Sequence, residues 1–72
     1  MNKTKMIYQD PEENNLTIEF TDKSKKVNVN YLNKKHTFDY DFCKKYKLMN
    51  VARFVMRQLS IERLTLIEIE SK

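Results

Sequence analysis

The 72-residue chain is predicted to fold as an α+β domain, a small antiparallel sheet with one amphipathic helix packed on one face. The expected order is βββαβ: a three-strand meander, a helix and a C-terminal strand, with room for an extra N-terminal strand. Three observations lead there. Apolar and polar residues alternate with period two through Leu16–Phe20, Val27–Tyr31 and His36–Phe42. The apolar period lengthens to that of a helix between about Cys43 and Leu59. A run rich in β-branched residues, Glu62–Glu70, then closes the pattern. No linker, repeat or low-complexity block divides the sequence, so residues 1–72 are read as one domain.

Lys5–Gln9 is the candidate leading strand, joined to the meander through Asp10-Pro11-Glu12-Glu13-Asn14-Asn15, a loop by every local signal. Residues 1–15 are accordingly expected to be partly mobile. Leu16-Thr17-Ile18-Glu19-Phe20 is the first firm strand, and Thr21-Asp22-Lys23-Ser24-Lys25 a polar turn. Val27-Asn28-Val29-Asn30-Tyr31 follows, then a second turn at Asn33-Lys34-Lys35 and the alternating His36-Thr37-Phe38-Asp39-Tyr40-Asp41-Phe42. In the helical segment Leu48, Val51, Ala52, Val55, Met56 and Leu59 form one apolar stripe. Asp41 is a candidate cap. Lys44 and Lys45 oppose the positive end of the helix dipole, so the regular helix is expected to start nearer Tyr46 or at Asn50. Ser60 ends it without a glycine. The final strand slips out of alternation at Leu66-Ile67, which calls for a bulge or for burial on both faces.

Alternation also assigns faces. His36, Phe38, Tyr40 and Phe42 share one side of their strand and match Leu16, Ile18, Phe20, Val27, Val29 and Tyr31, so this face takes the helix. Thr17, Glu19, Asn28, Asn30, Thr37, Asp39 and Asp41 fall on the outer face, which is polar and mildly acidic. Sheet-based RNA readers need aromatics and cations there, so that mode is disfavoured.

Composition narrows the chemistry further. The chain has no glycine, and phosphate-cradling loops, dinucleotide turns and nucleophile elbows depend on glycine's positive φ and close backbone approach. One cysteine forms no intrachain disulfide, and the lone His36 lies in the core register without a nucleophile beside it. His36 and Cys43 fall on opposite strand faces, which disfavours zinc. Cys43 beside two lysines has the setting of a lowered thiol pKa, with a plain buried thiol as the ordinary alternative. Asp39 and Asp41, two apart on one face and about 7 Å between Cα atoms, span a distance suited to Mg²⁺, yet spacing supplies no third ligand. The N-terminal residues lack the apolar stretch of a signal peptide, and no run reaches membrane-spanning length, so a soluble cytoplasmic protein is expected. No cofactor, metal, membrane partner or enzymatic activity is expected.

What remains is surface. On a helical wheel Lys47, Asn50, Arg53, Phe54 and Arg57 lie away from the apolar stripe, with two arginine forks one turn apart beside an aromatic. Such faces are ordinarily just solvated; Phe54 is what makes this one a docking candidate. A secondary basic patch comprises Lys23, Lys25, Lys26, Lys34 and Lys35 at the hairpin ends, where lysines commonly serve solubility and edge protection. Phe, Tyr, Met, Ile, Asn and Lys make up 35 of the 72 residues, the skew of AT-rich coding. Together these observations suggest a non-enzymatic regulator of phage or mobile-element type. It would dock its basic helix face on an acidic protein surface or nucleoprotein, such as a nucleic-acid-handling host protein, and block a site. Direct DNA or RNA binding through the same arginines and the lysine tips is the alternative; the net charge of +4 is modest for it. A homodimer using Leu64, Leu66, Ile67 and Ile69 on the last strand is the third.

Overall fold

A computed structural model describes residues 3–21, 25–40 and 48–71, with backbone alone for 48–50. Its strands are β1 (Lys3–Gln9), β2 (Asn15–Thr21), β3 (Lys26–Tyr31), β4 (Lys34–Asp39) and β5 (Thr65–Ser71), with helix α1 (Leu48–Leu59) between β4 and β5. They form one sheet in the order β4-β3-β2-β1-β5, antiparallel at every pairing. The expected α+β architecture is present, with the leading strand included.

That strand is interior to the sheet. β1 pairs with β2 on one side and β5 on the other, and it sends Thr4, Met6 and Tyr8 into the core. Met1 and Asn2 lie outside the described residues. Met6, Leu16, Ile18, Val27 and Val29 from the sheet meet Val51 and Val55 from α1, all seven essentially inaccessible to water. Each such side chain contributes about 1.5–3 kcal/mol relative to an exposed one. Tyr8, Phe20, Tyr40 and Ala52 complete the buried cluster.

The turns explain the shifted strand limits. In the β1–β2 loop the Glu13 N–H donates to the Asp10 carbonyl and the Asp10 N–H to the Asn14 carbonyl, each at 3.0 Å. Pro11 takes the second turn position, which its fixed φ suits, and Glu13 takes the left-handed one at φ 67°. The β3–β4 turn is a two-residue one at Leu32-Asn33, with φ of 52° and 61°. Tyr31 pairs directly with Lys34, so Lys34 and Lys35 belong to β4 rather than to the expected turn. Positive φ at both central residues gives the twist that suits a tight hairpin. Asn tolerates that conformation; Leu does not advertise it.

Helix α1 ends in a Schellman cap. The Ile61 N–H donates to the Met56 carbonyl at 2.9 Å, the Ser60 N–H reaches the Arg57 carbonyl at 3.4 Å, and Ser60 sits at φ 57°. The expected Asp41 cap, Phe42, Cys43, Lys44 and Lys45 lie outside the described residues. The slip at Leu66-Ile67 is a bulge: Ile7 pairs with Glu68 and Tyr8 with Leu66, leaving Ile67 extra. The alternative of burial on both faces is overturned, because every residue of β5 is exposed.

Candidate binding surfaces

Arg53 and Arg57 are exposed on α1, one helical turn apart. Neither has an ion pair among the described residues, where the ion pair formed is Lys3 Nζ to Glu19 Oε2 at 3.1 Å. Arg57 also lies in the last helical turn, where the dipole favours a cation. Lys47 lies outside the described residues, and so does the side chain of Asn50.

Phe54 departs from the expectation of an exposed aromatic. Its ring is half-buried, edge-on to Phe38 at 6.1 Å and to Tyr40 at 5.1 Å between centroids. The reason is the position of the helix over the sheet. Phe54 lies on the flank of the apolar stripe, and the large rings at the β4 edge rise to meet that flank. His36 stacks on Phe38, with planes 6° apart and centroids at 5.9 Å, extending the aromatic row along β4. The lone histidine is therefore a packing residue of the β4 edge.

The secondary basic patch is two patches. Lys26 pairs with Asp39 at one end of the β3–β4 hairpin, and Lys34 pairs with Tyr31 at the other. Four to five residues of strand separate them, about 15 Å. Lys25 joins the first group and Lys35 the second, all four exposed; Lys23 lies outside the described residues. On the outer face the Thr37 hydroxyl meets the Asn28 amide oxygen at 3.0 Å, and Asp39 is exposed. Asp41 lies outside the described residues, among which no group of three or more His, Cys, Asp or Glu is arranged to hold a metal ion. No helix among them is long and apolar enough to cross a membrane.

Sequence reasoning missed one polar cluster. The Asp10 carboxylate accepts from the Glu12 N–H at 2.9 Å, the Asn14 N–H at 2.8 Å, the Asn14 side-chain amide at 3.0 Å and the Tyr31 hydroxyl. Asp-Pro at the head of a loop signals the local bonds, since Asp commonly caps its own turn. The Tyr31 contact comes from a distant strand and has no local signature. The Tyr31 hydroxyl holds the Asp10 carboxyl below its ordinary value, and the same bond pushes the Tyr31 phenol up. This cluster ties the β1–β2 loop to the end of β3.

The last surface is β5. Leu66, Ile67 and Ile69 are 46%, 53% and 44% exposed on a strand that, among the described residues, is paired on one side only. The register places Leu66 and Ile69 on the helix-bearing face, opposite Tyr8 and Met6, and Glu68 and Glu70 on the outer face, opposite Ile7 and Lys5. Of the four residues expected to form an apolar edge, Leu66, Ile67 and Ile69 are exposed, whereas Leu64 precedes β5 and packs, partly buried, against the core. No family model, curated protein or solved structure matches the chain.

Proposed function

We propose that this is a small non-enzymatic binding protein that docks an acidic partner protein through the outward face of α1 and blocks the site it covers. The observation that carries the reading is the pair Arg53 and Arg57: exposed, one turn apart, and without an ion pair among the described residues. A guanidinium offers a rigid planar fork matched to carboxylates, and two on one rigid helix set both position and angle. Phe54 has a supporting part. By packing against Phe38 and Tyr40 it fixes the helix on the sheet, so the arginines project from a held element.

The test compares wild type with an Arg53→Glu/Arg57→Glu variant, shown to be folded by circular dichroism. The probes are a fluorescent polyglutamate peptide, duplex DNA and single-stranded RNA, at about 50 and 200 mM salt, a range over which phosphate contacts weaken steeply. The reading expects the acidic peptide to bind and charge reversal to abolish that binding. Unchanged peptide binding in the variant would overturn it. Tight, salt-steep DNA or RNA binding that the variant loses would move the assignment to nucleic acid.

A further inference from the structure

We infer that the outer edge of β5 is a second binding site, which accepts an extended segment of a partner protein as a sixth strand. The incoming strand alternates aliphatic residues with lysine or arginine. All seven residues of β5 are exposed, and among the described residues only β1 pairs with it, along one of its two edges. The free side therefore presents a row of backbone donors and acceptors, the feature that strand addition uses.

The sheet itself specifies the chemistry of the missing neighbour. On the outer face, Glu19 of β2 stands opposite Lys5 of β1, and Lys5 opposite Glu70 of β5. Across these three strands the sign of charge alternates, and the next position beyond Glu70 calls for a cation. Glu68 repeats the demand one pleat along, since its neighbour on β1 is the uncharged Ile7. Neither glutamate has an ion pair among the described residues. On the other face the rows run Ile18, Met6, Ile69 and Leu16, Tyr8, Leu66, so the next positions there call for apolar side chains. Burying Leu66 and Ile69, each nearly half exposed, supplies the driving force, and the charge row selects the partner.

The same row argues against a second copy of β5. Antiparallel pairing of two identical strands about a two-fold axis sets each residue opposite one from its own face. Registers centred on Glu68, Ile69 or Glu70 place glutamate directly across from glutamate, a destabilising arrangement, and one centred on Ile67 sets Leu66 of the helix-bearing face against Glu68 of the outer face. The edge is apolar enough to bind and charged so as to refuse itself.

The test uses two fluorescent seven-residue peptides, one alternating valine with lysine and one alternating valine with glutamate. Their anisotropy is titrated with the whole chain, and amide shifts are mapped by nuclear magnetic resonance. The lysine peptide should bind about tenfold tighter than the glutamate peptide, from two charge pairs of up to about 1 kcal/mol each, with shifts concentrated in residues 65–71. The Glu68→Lys/Glu70→Lys variant, altered only at exposed positions, should reverse the preference. Three results would overturn the proposal: no binding at about 1 mM peptide, the same affinity for both peptides, or molar mass by light scattering that grows with protein concentration alone. Binding that survives Arg53→Glu/Arg57→Glu separates this site from the helix face.

Discussion

The β3–β4 turn offers the sharpest test of how this glycine-free chain folds. Leu32 and Asn33 both hold positive φ, at 52° and 61°, in a two-residue turn closed by the Tyr31–Lys34 pair. A left-handed conformation costs an ordinary L-residue about 1–2 kcal/mol, and an asparagine less. Leu32 is 56% exposed, so little burial offsets the cost at its position. Replacing the pair with the preferred turn dipeptide, Leu32→Asn/Asn33→Gly, removes most of that strain. Part of the gain is returned, because glycine loosens the unfolded chain by about 0.5–1 kcal/mol. The net expectation is a gain of about 1 kcal/mol, which in a domain of this size raises Tm by about 4–8 °C. The assay is thermal unfolding by circular dichroism, paired with urea titration to confirm that the midpoint moves while the m-value stays constant. Leu32→Val provides the opposite arm: a β-branched residue fits positive φ worse and should lower Tm. An unchanged or lower Tm in the double variant, or a Val variant as stable as wild type, would refute the turn geometry as the origin of the strain.

Two further outcomes follow from side-chain packing and titration. Phe54→Ala should destabilise the fold by about 2 kcal/mol, below the roughly 3–5 kcal/mol of a fully buried Phe because the ring is half exposed; denaturant unfolding checks it, and a loss under about 0.5 kcal/mol would return Phe54 to the docking face. The Asp10–Tyr31 pair should make stability fall at both ends of the pH scale. Asp10 is held below its ordinary value, so its contribution is complete above the usual carboxylate range near 4 and is lost as pH falls through the lower folded value. Tyr31 is pushed up, so the folded chain keeps a proton that the unfolded chain releases, and stability declines as pH rises past about 10. Burial pushes Tyr8 and Tyr40 the same way and deepens the alkaline loss. Melting curves from pH 2 to 11 should show a shallower acid limb in Asp10→Asn; parallel acid limbs would rule out the carboxylate as their source.

The strands and faces of this fold were legible because two-residue alternation is a local record of a half-buried sheet. Leu16, Ile18, Val27 and Val29 are all buried as their spacing demands. The slip at Leu66-Ile67 marks an irregularity for the same reason, and the pairing with β1 resolves it as a bulge rather than burial on both faces. The β3–β4 turn was placed one to two residues late because its usual marker, glycine, is missing, and Leu32 sits where no propensity would put it. The interior position of β1 depends on pairings with β2 and β5, which its short, weakly alternating sequence does not encode. At the candidate site, exposure of Arg53 and Arg57 was readable from the wheel. The fate of Phe54 was not, because a residue on the flank of an apolar stripe is settled by what the neighbouring strand brings to meet it.

The position of β5 has a consequence for how the chain matures. The pairings β1–β2, β2–β3 and β3–β4 join strands adjacent in sequence, and each can form soon after its residues emerge during synthesis. The β1–β5 pairing joins Thr4 to Ser71, across nearly the whole sequence, and must await the final strand. Until then the free edge of β1 is open, and a nascent or truncated chain carries that edge into a crowded solution. Non-local pairing of this kind is slow to form, and a strand exposed along its full length buries little side-chain surface beyond its ladder to β1. Native-state hydrogen exchange should therefore find β5 opening as its own unit, ahead of the meander that it completes.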